Sequence, residues 1–130
     1  VIKTNPVIDD EVFPTLYYLV NKPLIEKVSR LESQGYLTKM QEKVDNDNDF
    51  KEELLTAQNK YIDERNSLVE NKKLSENQKT ALGTGIGGVK DLSRIKCLHS
   101  HLAYYLATGD GPVGEQVYNK VLPFIKRLFY

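Results

Sequence analysis

The chain has 130 residues, enough for one domain with a real core; 40% are hydrophobic and 28% charged. Eighteen basic and eighteen acidic residues cancel, so no global field draws nucleic acid or an anionic membrane surface, and any anion binding has to be local. A single cysteine excludes an intramolecular disulfide and implies a reducing compartment; the longest apolar runs are too short to span a membrane, and no signal-peptide pattern opens the chain, although a start at Val1 rather than Met leaves room for residues upstream.

Val1 to Val20 reads as extended. Pro6 and Pro14 break helix, and Phe13-Pro14 sets an extended approach. Thr15 to Val20 is β-branched and aromatic, a candidate buried strand. Val1-Ile2 and Val7-Ile8 are expected to pair with it, with Asp9-Asp10-Glu11 as the turn. Asn21 is placed to cap a first helix, with Pro23 in its first turn, a stripe of Leu24, Val28 and Leu31, and Gly35 as the stop. Thr38 with Gln41 reads as a capping box for a second helix carrying Met40 and Val44, Asp45 to Asn48 reads as a turn or new cap, and Asp49 with Glu52 repeats the capping-box pattern for a third helix. From there Phe50, Leu54, Ala57, Tyr61, Leu68 and Val69 keep helical spacing. These two charged helices predict an αα-hairpin. Asn71 to Gln78 is polar and ends it, with Ser75 available as a new cap.

Gly83-Thr84-Gly85-Ile86-Gly87-Gly88 follows, then a predicted helix from Asp91 to Thr108 stopped by Gly109. The last helix opens near Pro112 and buries Val113, Val117, Val121, Phe124 and Leu128. Pro123 inside it predicts a kink or break. The apolar ending Leu128-Phe129-Tyr130 is expected to dock.

At about 100° per residue, Leu92, Ile95, Leu98, Leu102 and Leu106 share one arc of the Asp91–Thr108 helix, and His99 falls within it. Lys96 lies at its edge. Cys97, His101 and Tyr104 lie opposite, beside Lys90 and Arg94. Only Cys97 and His101 have the i, i+4 spacing of a one-helix metal pair, and two ligands do not make a zinc site, so no metal is expected. A lone Cys on a helix is most often packing, and a His on an apolar arc most often a hydrogen-bonded core residue. A glycine run is most often a connector. Its position at a helix start, with Lys90, Arg94 and Lys96 nearby, is what suggests an anion cradle. It is neither a Walker loop nor a complete dinucleotide fingerprint.

Phe13-Pro14-Thr15-Leu16-Tyr17, Ser29-Arg30-Leu31-Glu32, Tyr61-Ile62-Asp63-Glu64-Arg65, Gly87-Gly88 and Lys96-Cys97-Leu98-His99 occur in this order. With them the chain resembles, over nearly its whole length, the uncharacterised bacterial family catalogued as domain of unknown function five hundred and one. The resemblance implies a small cytoplasmic bacterial protein with no established activity. Relatives often carry a Cys upstream of the first stretch; its absence here leaves no second thiol for a redox or metal pair. Relatives also tend to have Asn-Pro where this chain has Gly111-Pro112, and they are often encoded beside a septum-formation protein and a polyphosphate phosphatase. The polar members of the shared stretches include Arg30, Glu32, Glu64, Arg65, Lys96 and His99, on three predicted helices. Arg30 and Glu32 lie about 200° apart on the first, so at most one faces a shared site. The plainer account is ion pairs that fix packing. The sharper one is a pocket in which Arg30, Arg65 and Lys96 hold an anion and His99 acts as acid or base.

The expected fold is therefore α+β and mainly α. A single domain over 1–130 would place a short N-terminal antiparallel β-ribbon (1–20) on about five helices. Helices including a hairpin would fill 21–73, the Gly-rich loop 83–90 and two helices 91–130. The expected function is binding of a small phosphate- or carboxylate-bearing ligand by Arg30, Arg65, Gly87, Gly88 and Lys96. His99 would be the catalytic group if there is turnover, and Cys97 a candidate reactive thiol. No particular cofactor is indicated. The alternative is a non-enzymatic interaction module in which the charged hairpin binds a protein partner or a second copy of the chain. Neither expectation involves nucleic acid or membrane.

Overall fold

The computed structural model describes residues 1–8, 11–12, 15–69 and 73–129, with the backbone alone for Leu128 and Phe129. The chain is α+β and mainly helical, as expected. Two short antiparallel pairs open it. β1 (Ile2–Lys3) pairs with β4 (Tyr17–Tyr18), and β2 (Val7–Ile8) pairs with β3 (Glu11–Val12). Val7-Ile8 therefore closes a hairpin of its own rather than joining the Tyr17 strand, and Glu11 is strand rather than turn. The expected turn at Asp9-Asp10, the Phe13-Pro14 approach, the Asn71 end of the polar stretch and the docking of Leu128, Phe129 and Tyr130 lie outside the described residues or side chains.

The first helix starts as its caps predict. Asn21 Oδ1 accepts the Leu24 N–H at 3.0 Å, and α1 runs Lys22–Ser33. Gly35, at φ 85°, then serves as the N-cap of α2 (Tyr36–Asn46). The Thr38–Gln41 capping box is thus corrected: the left-handed glycine lets the chain turn straight into a new helix, and both residues lie inside it. Asp47, not Asp49, caps α3 (Asn48–Ser67), its Oδ1 accepting from Phe50 N at 3.1 Å. Ser75 and Gln78 form a reciprocal capping box on α4 (Glu76–Leu82), a sixth helix among the described residues. Then α5 spans Leu98–Thr108 and α6 spans Pro112–Phe129, which continues through Pro123 without the expected break.

The main core lies between α1, α2, α3, α5 and α6. It includes Leu24, Val28, Leu31, Met40, Val44, Phe50, Leu54, Leu98, Leu102, Val113, Val117 and Val121. The α2–α3 hairpin packs its apolar face into this core. A second cluster gathers Leu16, Tyr17, Ala57, Tyr61, Ile86, Ala103 and Tyr104 beneath β4. Tyr61 and Tyr104 meet edge to face at 5.3 Å, and Tyr61 Oη accepts the Leu16 N–H at 2.8 Å. Burial is the first cause that raises the Tyr61 and Tyr17 phenols and pushes Tyr104 up to about 12. Tyr17 also donates its hydroxyl hydrogen to Glu64, which Lys3 Nζ approaches at 3.0 Å.

The largest departure from expectation is at 90–97. These residues are irregular, and α5 begins only at Leu98. Local periodicity favours helix here, but neighbouring side chains take the backbone groups that a helix would use. Gln41 Oε1 accepts Ile95 N–H at 2.8 Å while its Nε2 donates to Ser93 O at 2.9 Å. Gln58 Nε2 donates to Leu92 O at 3.4 Å. Asp91 Oδ1 accepts from both the Ser93 amide and hydroxyl, which holds its carboxyl below the usual range.

The histidines consequently exchange their expected places. His101 is 1% exposed and neither ring nitrogen has a hydrogen-bond partner among the described residues. His99 is only half-buried. Burial lowers the His101 pKa to about 4. Between that value and the unfolded value near 6.5, the unfolded chain binds a proton that the folded chain refuses. Stability is then fully present above the unfolded pKa and falls as pH drops. His101 alone should remove about 3 kcal/mol between about pH 7.5 and pH 4. Urea unfolding at the two pH values should show this loss, and His101→Leu should flatten most of it. An equally steep profile in the variant would assign the effect to other groups.

Candidate functional site

Two stripes run side by side on α1. Leu24, Val28 and Leu31 enter the core. Ile25, Ser29 and Glu32, at i, i+4 and i+7, occupy the adjacent stripe and meet the start of α5. Glu32 Oε2 accepts the Leu98 N–H at 2.9 Å, so a residue of α1 caps α5, and Cys97 at the N-cap position contributes no side-chain cap. A carboxylate there also faces the positive end of the helix dipole.

The His99 ring lies between these groups. Its Nε2 is 3.0 Å from Ile25 O and 3.0 Å from Ser29 Oγ. Ile25 O can only accept, and Ser29 Oγ donates to the same carbonyl at 3.0 Å, so Nε2 carries a hydrogen. Nδ1 is directed elsewhere: Glu32 Oε1 is 3.3 Å away and Cys97 Sγ 3.9 Å away. Cys97 is half-buried, with an extended backbone at φ −148°. The Cys97 and His101 pairing therefore fails: Cys97 lies before the helix, and His101 turns into the core. His99 meets Cys97 instead.

These groups form one end of a pocket of about 240 Å³ lined by Tyr17, Tyr18, Leu19, Ile25, Cys97, His99 and Ser100. Its walls are aromatic and aliphatic, with the Cys97 thiol and the His99 imidazole, 3.9 Å apart, and Ser100 as the polar members of the lining. Gly87 backs it. At φ 76° it favours glycine, and a Cβ there would meet Cys97 Cβ at 3.4 Å.

The expected cations do not gather here. Arg65 is fully buried and donates to Leu82 O and Thr84 O, with its guanidinium 5.3 Å from the Tyr61 ring centre. Burial is the first cause lowering its pKa. Lys96 is exposed beside Cys97. Arg30 lies on the opposite flank of α1 from Ser29, in a groove of about 320 Å³ with Lys27, Phe124 and Arg127. Thus of Arg30 and Glu32 only Glu32 reaches the His99 cluster. In the glycine loop, the Gly85 N–H donates to Val89 O, Ile86 N–H to Gln58 Oε1 and Gly88 N–H to Gly85 O. The loop folds on itself and precedes an irregular segment, not a helix, so the anion-cradle geometry is absent. Ser29, Tyr17 and Ser100 were not singled out from sequence; the Ile25, Ser29, Glu32 spacing was the available signal for the first of them.

The family model described as protein of unknown function (DUF501) matches residues 1–119, and the chain belongs to that family. No curated protein and no solved structure matches it. No helix among the described residues is long and apolar enough to cross a membrane.

Proposed function

We propose that the chain binds a small molecule with a carboxylate or phosphate head in the pocket between β4, α1 and the start of α5. The observation that supports this most is that Cys97, His99 and Ser100 line that pocket, with the thiol 3.9 Å from an imidazole held by Ile25, Ser29 and Glu32. Apolar walls with a few convergent polar groups are the usual composition of a small-ligand site. Tyr17, Leu19 and Ile25 would cover an apolar body, a protonated His99 would offer Nδ1–H and Ser100 its hydroxyl to the head group, and exposed Lys96 would add positive charge. Were there turnover, His99 would be the proton-transferring group.

A thermal-shift screen against phosphate, pyrophosphate and short aliphatic and aromatic carboxylates tests this. A ligand at a hundred times its Kd adds about 2.7 kcal/mol, which moves Tm by several degrees. The shift should vanish in His99→Ala and weaken in Lys96→Ala. If it survives His99→Ala but is lost in Arg30→Ala, the anion binds the Lys27, Arg30, Arg127 groove and this pocket is not the site. No shift with any probe would also overturn the proposal.

A further inference from the structure

Three donor atoms of different chemistry meet at the polar end of the same pocket. Glu32, Cys97 and His99 each offer one ligand atom, and all three atoms lie within 4.8 Å of one another. We propose that they bind a divalent transition ion of the zinc class, with a fourth position left for water or a ligand head group.

The spacing fits such an ion. Bonds of about 2.0–2.3 Å at tetrahedral angles put an oxygen and a nitrogen ligand about 3.3 Å apart, and a nitrogen and a sulfur about 3.6 Å apart. Oε1 to Nδ1 is 3.3 Å, Sγ to Nδ1 is 3.9 Å and no two of the three donor atoms are more than 4.8 Å apart, so closure needs the thiol to swing toward the other two.

Hydrogen bonds at the ligands' other atoms give independent support. A metal-binding imidazole characteristically donates its second N–H to a carbonyl or carboxylate. Here Nε2 faces Ile25 O, which leaves Nδ1 for the ion. The Glu32 carboxylate is held in the same manner, its Oε2 on the Leu98 N–H, which leaves Oε1 for the ion. Both ligands are thus oriented from behind. On binding, the Cys97 thiol gives its proton to solvent and its sulfur lone pair to the ion. Thiolate and carboxylate then balance the ion's two charges, and the imidazole stays neutral. Three protein ligands and one open position match a catalytic type of zinc site rather than a closed structural one. The ion would join α1 to α5, so it should also stabilise the fold. The site stands whether or not the pocket takes an organic ligand.

The test uses the full chain, stripped with a chelator under a non-thiol reductant and titrated with Co²⁺. Binding of one ion per chain is expected, with a thiolate-to-cobalt charge-transfer band, four-coordinate d–d bands and displacement by Zn²⁺. Cys97→Ser should abolish the charge-transfer band. His99→Ala and Glu32→Gln should each weaken binding at least about tenfold, and His101→Gln should leave it unchanged. Where Glu32→Gln fails to fold for want of the α5 cap, the other two variants decide. Absence of the thiolate band, stoichiometric binding that survives Cys97→Ser or His99→Ala, or binding only at millimolar Co²⁺ would overturn the proposal.

Discussion

Replacing Arg65 by alanine should destabilise the chain by about 3–5 kcal/mol, the largest effect expected of any side chain in α3. The guanidinium is 0% exposed and donates to the carbonyls of Leu82 and Thr84, where α4 gives way to the glycine loop. Both bonds leave one nitrogen, Nη2, which a lysine ammonium could replace in part, but lysine has no planar guanidinium to lie against the Tyr61 ring. Truncation leaves the buried Leu82 carbonyl without this donor, at about 1–3 kcal/mol, the partly buried Thr84 carbonyl at less, and empties the volume against Tyr61. Arg65→Lys should recover only part of the loss. Urea unfolding reads this as a lowered midpoint at unchanged slope. A loss under about 1 kcal/mol would show that the guanidinium is not what joins α3 to the glycine loop.

Gly114→Ala should be nearly as damaging although it adds a single methyl group. A Cβ at this position would lie 2.2 Å from His101 O and 2.6 Å from Tyr105 Cβ. Neither can swing aside, because one is backbone and the other is the root of a side chain. The methyl therefore has to push α5 and α6 apart along a seam where Leu98, Leu102, Val113 and Val117 are all 0% exposed. Overpacking of this kind costs about 3 kcal/mol, and Tm should fall by about 10 °C. Helix propensity alone points the other way, since alanine is the better helix former by about 1 kcal/mol. A rise in Tm would mean the two helices can separate without loss. Since α6 packs on the helix that carries His99, the same variant should weaken ligand and metal binding in proportion to its unfolding rather than selectively.

The helix starts were readable wherever they rest on short-range chemistry. Asn21 before Pro23 and Ser75 before Gln78 cap their helices as expected, because each cap involves atoms three residues apart. The buried stripes of α1, of α3 as far as Tyr61 and of α6 as far as Val121 followed from periodicity for the same reason, whereas Leu68, expected in the α3 stripe, lies just past that helix and is 44% exposed. Two capping boxes were misplaced. At α2 the determining feature is a left-handed glycine, and at α3 it is Asp47, inside the expected Asp45 to Asn48 turn or cap and ahead of the Asp49 capping box.

The segment before α5 was misread for a different reason. Leu92, Ile95, Leu98 and Leu102 have helical spacing, yet only the last two are in a helix. Gln41 and Gln58, on other helices, take the Ile95 amide and the Ser93 and Leu92 carbonyls. The exchange of the two histidines follows from it. A wheel with one apolar arc assumes one buried side. In the fold, α5 is covered twice, with Leu98 and Leu102 in the main core and Ala103 and Tyr104 in the tyrosine cluster, while Leu106 is 39% exposed.

By itself, then, the sequence determined the class, the position and apolar face of three of the helices, and the interest of Cys97 and His99. Each of these depends on composition or on contacts within a few residues. Which residues face Cys97 and His99 was decided only by the tertiary structure. Glu32 caps a helix whose first residue lies 66 positions further on. Arg65, expected at a ligand, instead joins α3 to the glycine loop. Such pairs form when α1 crosses the start of α5 and when α3 meets the end of α4, and no local pattern of charge or hydrophobicity specifies those meetings.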